Sequence, residues 1–144
     1  MTRRRFLLLP VLLIGSLWLA ACGAGGQPDS KVKLAPVSAL PKEMQAAPTT
    51  VRTAYQFAVT NPDALQNVPC YCGCGAIGHK SNLACYIKEV GADGQPVFDD
   101  HALGCSLCVD IATDVMQMTG EGKSPAAIRQ QIVDTYSTFG PANQ

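Results

Sequence analysis

The stretch that decides the fold runs from residue 104 to residue 136, GCSLCVDIATDVMQMTGEGKSPAAIRQQIVDTY. Leu107, Cys108, Ile111, Ala112, Val115 and Met116 recur at helical spacing, which gives a helix of about four turns one apolar side to bury. This helix is expected to end near Gly120. Ser124-Pro125 then offers an N-cap and a proline at the first helical position, where a missing N–H is no loss. Ile128, Ile132, Val133 and Tyr136 form the stripe of the next helix, and Gly140-Pro141 closes it. Two apolar faces joined by a short polar turn predict a helical hairpin, and the fold class is mainly α.

Further toward the N-terminus, Val51, Ala54, Tyr55 and Ala58 fall at i, i+3, i+4 and i+7 and predict another helix from near Thr49. Asn61-Pro62 stops it and suits the start of a short turn from Asp63 to Asn67. In CYIKEVGADGQPVF, residues 85–98, two β-prone pieces flank Asp93-Gly94, the signature of a hairpin, and Pro96 confines its strand to an edge. Residues 49–140 therefore read as one small helical domain with a minor β-hairpin and a Cys-rich loop. Residues 22–48 read as a tether. Pro28, Pro36, Pro41 and Pro48 interrupt every regular pattern there, and a flexible chain of this length would span roughly 28 Å.

Residues 1–21 carry Arg3, Arg4 and Arg5, then an uncharged apolar run from Phe6 to Leu19, then small residues, which is the layout of a secretory signal peptide. Its end, Leu19-Ala20-Ala21-Cys22, resembles the bacterial lipobox. That resemblance makes Cys22 the lipidated N-terminus of the mature chain and places the protein outside the cytoplasm, anchored to the cell membrane; the alternative is an ordinary secretory signal. Several acyl chains anchor stably where one binds marginally. Removing the signal takes three of the eleven basic residues and none of the eleven acidic ones, leaving a net charge of −3. With no cluster of Lys and Arg, nucleic acid is excluded as a partner.

Chemistry concentrates between residues 70 and 108. Six cysteines follow the pattern C-x-C-x-C-x10-C-x19-C-x2-C, at Cys70, Cys72, Cys74, Cys85, Cys105 and Cys108, and the chain's two histidines, His79 and His101, lie in the same window. Gly73 and Gly75 permit positive φ, which would let alternate side chains converge. Cys105 and Cys108 share one side of a helix start. A soft ion gathers several thiolates without pairwise dihedral demands, so the eight residues form a candidate metal site, for Cu(I) first and Zn second, in metal handling or buffering with a donor or acceptor protein as partner.

Two other readings use the same residues. Three long-range disulfides would make a stapled structural or interaction module, as exported small domains often are. Cys105 and Cys108 would alternatively form a redox pair, with a helix N-terminus favouring thiolate, in an exported thiol-disulfide oxidoreductase. Asp99 and Asp100 read as caps for the following helix, with a partner of His101 as their second role. Tyr71, Tyr86, Met116 and Met118 read as packing residues. No Ser/His/Asp set, paired carboxylates or phosphate-binding loop accompanies them, so catalysis is not expected.

PCYCGCG, GHKSNLACYI, DDHALGCSLCVDIA and GKSPAAIRQQIVDTY together resemble the PCYCGC-motif lipoprotein family of bacteria, over about residues 49–138 and including the lipobox. The resemblance implies an exported lipoprotein. All eight Cys and His positions of the pattern stand in this chain, and the family implies no particular metal.

Overall fold

The computed structural model describes residues 32–144. Its helices run in the order α1 (Lys42–Ala46), α2 (Thr49–Thr60), α3 (Pro62–Gln66), α4 (Ser106–Gly120) and α5 (Pro125–Tyr136), with one antiparallel strand pair, β1 (Ile87–Val90) and β2 (Pro96–Phe98), between α3 and α4. The domain is mainly helical, as its periodicities require. Among the described residues, no helix is long and apolar enough to cross a membrane.

Helix α4 is the centre of the packing, touching α2, α3 and α5. Its buried residues are Cys108, Val109, Ile111, Ala112, Val115 and Met118. Leu107 and Met116 are only partly buried, so the covered face is turned from the one expected toward Val109 and Met118, because three neighbours demand a broader apolar surface than one. The helix stops in a Schellman motif. Gly122 adopts φ +77° while Gly122 N–H donates to Thr119 O at 3.0 Å and Lys123 N–H to Met118 O at 3.1 Å. The helix thus ends at Gly120, as expected, and Gly122 supplies the left-handed residue just beyond it.

The expected hairpin follows. Ser124 Oγ accepts from Ala127 N–H at 3.3 Å, Pro125 occupies the first turn, and Ile128, Ile132 and Tyr136 bury one side of α5. Tyr136 O–H donates to Asp114 Oδ2 at 2.8 Å, closing α5 onto α4. In α2 the buried side chains are Ala54, Tyr55, Phe57 and Ala58, with Val51 only partly covered. Full burial of Phe57 or Leu65 stabilises by about 1.5–3 kcal/mol each.

Residues 32–48, expected as the second half of a tether, are instead folded onto α2. Ala35 N–H donates to Gln56 O at 3.1 Å, Thr60 O–H donates to Lys33 O at 2.6 Å, and Leu40 and Met44 enter the core. The prolines that break regular patterning here act as helix starts, Pro41 before α1 and Pro48 before α2. Their fixed φ lowers the entropy lost on ordering the segment. Residues 1–21, expected to be a signal peptide, and Cys22, expected to carry lipid, lie outside the described residues.

The β1–β2 hairpin turns through Gly94 at φ +77°, with Gln95 N–H held by Asp93 Oδ1 at 3.0 Å. A register irregularity falls between Ile87 and Glu89. Its function in the fold is to carry the chain from Cys85 back to Asp99, and Tyr86 beneath it buries fully, edge-on to Tyr55 at 5.0 Å.

Candidate metal centre

Three segments deliver the ligand atoms. Cys70, Cys72 and Cys74 come from the loop after α3, where Gly73 adopts φ +84° and a tight turn over Cys74–Ile77 ends at Gly78, φ +91°. A chain in regular extended conformation would send alternate side chains the same way but spread them along a line; the left-handed turn at Gly73 folds the line up. Gly75, also expected to take positive φ, does not; it lies against Asn143, where a Cβ would be 3.4 Å from the Asn143 Cα. Cys85 ends a short turn, Leu83–Cys85, and His101 opens another, His101–Leu103. Cys105 is the N-cap of α4 and Cys108 lies in its first turn.

Folding brings these segments to one point. Cys108 Sγ stands 3.2 Å from Cys85 Sγ, 3.3 Å from Cys70, 3.4 Å from Cys105 and 3.5 Å from Cys72. Cys70 and Cys72 are 3.5 Å apart, Cys74 and Cys85 3.8 Å, and Cys72 Sγ is 3.4 Å from His101 Nε2. All six cysteines are free thiols. Their ligand atoms, with that of His101, form overlapping groups close enough to hold a metal ion: Cys72, His101, Cys105 and Cys108; Cys70, Cys85 and Cys108; Cys70, Cys72 and Cys74; and Cys74, Cys85 and His101.

His79 belongs to none of these groups. Its ring packs edge-on to His101 at 5.2 Å, its Nε2 is 3.5 Å from Asp99 Oδ2, and its Nδ1 is buried without a hydrogen-bond partner among the described residues. Asp99 Oδ1 accepts the His101 N–H at 2.8 Å at the start of the His101–Leu103 turn, whereas Asp100, also expected as a cap, makes no side-chain cap bond there, and α4 itself starts at Cys105. The ring partner of Asp99 is His79 rather than His101. Asp99 is also tied down through its carbonyl, which accepts from Tyr55 O–H at 2.8 Å. The His79 and Asp99 side chains thus form a wall behind His101.

Proton affinities across the cluster are uneven. Hydrogen bonds from the Cys108 and Cys85 thiols hold the Cys70 thiol far below the ordinary range. Contacts with Cys70 and Cys85, together with burial, push Cys108 up, and this outweighs the attraction of a helix N-terminus for thiolate. Burial pushes Cys72 and Cys74 up. Cys85 is lowered by Cys108, yet Cys70 and burial together leave it above the usual value. Of these five thiols Cys70 is the one favoured as thiolate, while Cys72, Cys74, Cys85 and Cys108 are disfavoured as thiolates without a compensating cation.

Three residues outside the eight Cys and His positions support this centre. Asn143, in the tail after α5, accepts the Cys70 N–H through Oδ1 at 2.7 Å, returns its own N–H to Cys70 O at 3.1 Å, and donates from Nδ2 to Cys74 Sγ at 3.4 Å. Asn82 and Tyr86 donate to the Cys108 carbonyl, at 3.2 and 2.8 Å. No local signal marks Asn143, which lies 73 residues from Cys70. Tyr86 was legible as a packing residue, and its hydroxyl bond was not.

Comparison with known proteins adds one finding. No match was found among curated proteins or among solved structures. A family model described as a protein of unknown function with PCYCGC motif matches residues 11–142, and its motif, Pro69 to Cys74, is the loop that supplies three of the clustered sulfurs. A match over most of the chain, carried by the residues that build the site, means that the protein belongs to the PCYCGC-motif family.

Proposed function

We propose that this protein is an exported lipoprotein, held to a membrane through lipidated Cys22, that binds a soft metal ion in its cysteine cluster and buffers it or passes it to a partner protein. Cu(I) is the first candidate and Zn(II) the second. The observation that supports this reading is the set of four sulfurs around Cys108, all at 3.2–3.5 Å. A disulfide would join Cys108 to only one of these four sulfurs. An ion bonded at about 2.3 Å engages several at once, and needs the sulfurs to spread only to about 3.8 Å. Thiolate-rich, water-shielded ligand sets suit Cu(I). Zinc is kept in view because Cys72, Cys105, Cys108 and His101 make a Cys₃His set. Binding moves no electrons: thiol protons leave to solvent as the ion enters.

The test is native mass spectrometry of the mature chain purified without air, with free thiols counted in parallel. The expected result is added mass from one or more copper ions, six titratable cluster thiols once metal is removed, and lower metal content in Cys72→Ser. Unchanged mass in excess Cu(I), with fewer than six free thiols, would instead establish the disulfide module. Insulin reduction abolished by Cys105→Ser and untouched by Cys70→Ser would establish the oxidoreductase. For the anchor, Cys22→Ser is expected to release the protein from the membrane fraction; continued retention would overturn that part.

A further inference from the structure

Building on the soft-metal reading, we infer that the cluster holds two ions that share the Cys108 sulfur, an inner ion that stays and an outer ion that exchanges. Seven ligand atoms converge, whereas a tetrahedral ion uses four. They divide by burial. Cys70, Cys85 and Cys108 form one group, each with 0% exposure, while Cys72, His101 and Cys105 are half-buried and complete their group with Cys108. Cys108 belongs to both.

Its sulfur has two buried neighbours, Cys85 at 3.2 Å and Cys70 at 3.3 Å, and two half-buried ones, Cys105 at 3.4 Å and Cys72 at 3.5 Å. A thiolate sulfur carries three lone pairs and bonds two soft ions without strain. Cys74, within reach of Cys70 and Cys72 and also of Cys85 and His101, is a ligand that either ion can recruit. A second cation compensates the charge of further cluster thiols as they shed their protons, which a single monovalent ion does not do.

Access separates the two positions. Cys105 borders an open cleft of about 440 Å³, shared with Thr50, Val51, Leu103, Gly104 and Val109, from which a partner's thiolate can reach the outer ion by ligand exchange. The inner sulfurs have no exposed surface. The outer ion is the cargo, and the inner ion braces the loop, the Leu83–Cys85 turn and α4 against one another.

The experiment loads the reduced mature chain with excess Cu(I), removes loosely held metal, and follows copper content by native mass spectrometry during challenge with a water-soluble Cu(I) chelator. Wild type is expected to carry two ions and lose one at least tenfold faster than the other. Cys105→Ser is expected to carry one, lost at the slow rate. Serine is a preferred N-cap, so this variant retains the start of α4, and His101→Ala serves as an independent second lesion with the same expected result. Two ions on one sulfur at about 2.3 Å each lie no more than about 4.6 Å apart, which X-ray absorption of the two-ion form checks. A single ion at saturation, two ions lost at one rate, or Cys105→Ser and His101→Ala both holding two ions or none would overturn the shared-sulfur arrangement. Only an absence of bound metal in wild type would overturn the parent reading.

Discussion

A methyl group at residue 140 would lie 2.8 Å from the Tyr71 carbonyl oxygen, whereas one at residue 73 would meet nothing within 4 Å. The two glycines therefore shape the cysteine loop by different means. Gly73→Ala meets only the penalty of a left-handed backbone, about 1–2 kcal/mol, and is expected to lower the thermal midpoint while leaving the tail in place. Gly140→Ala must push the tail off the loop, freeing the Cys70 amide from Asn143 Oδ1. Hydrogen exchange checks this: the Cys70 amide should lose protection in Gly140→Ala and keep it in Gly73→Ala, and equal protection in both would refute it. At this scale the sequence was informative about which atoms carry chemistry, because thiols and imidazoles clustered within 39 residues declare themselves. It was silent on roles that depend on distant neighbours. His79 looked equivalent to His101, yet one touches Cys72 Sγ and the other stands behind it beside Asp99. Nothing in Asn143 hinted at its grip on the loop, since its partners are remote along the chain.

Among the elements, the helices were legible because their causes are local: apolar residues every three or four positions, proline at a start, glycine at a stop. The α4–α5 hairpin, α2 and the β1–β2 pair all follow from such signals. What each helix buries was less legible, because the width of a covered face depends on how many neighbours it has, and α4 has three. Ile132 of α5 is fully buried, so Ile132→Ala should destabilise the domain by about 2–5 kcal/mol through lost burial and a residual cavity. Val90 of β1 is 69% exposed, and Val90→Thr should change stability by no more than about 0.5 kcal/mol. Denaturant titration of the reduced protein compares the two, and similar midpoints would contradict the packing described for α5. The segment from Val32 to Pro48 was misjudged for an instructive reason. Its composition is that of a linker, but Ala35, Leu40 and Met44 supply enough apolar surface to dock on α2, and the spacing of those anchors is irregular, so no periodicity reveals them.

For the molecule as a whole, protons and metal compete for the same buried sulfurs. Cys72 and Cys74 are held protonated by burial, Cys108 by Cys70, Cys85 and burial, and Cys85 by Cys70 and burial despite Cys108. Raised thiol proton affinity means that an entering ion must displace protons, so metal affinity falls as pH falls. More than one proton should leave per ion near neutrality, and apparent affinity should drop at least tenfold for each unit of acidification. Competition against a chelator, corrected for the chelator's own protonation, checks the slope; an affinity independent of pH would show that thiolates are not the ligands. Taken alone, the amino-acid sequence determined the mainly helical class, the positions of the principal elements and the family, because those rest on short-range periodicity, turn chemistry and a distinctive motif. Only the tertiary structure decided which sulfurs meet, that Cys108 lies at their centre, that His79 stands outside, and that residues 32–48 and Asn143 close over the domain. Those outcomes depend on contacts between segments tens of residues apart, which packing selects from many arrangements that the local rules allow equally.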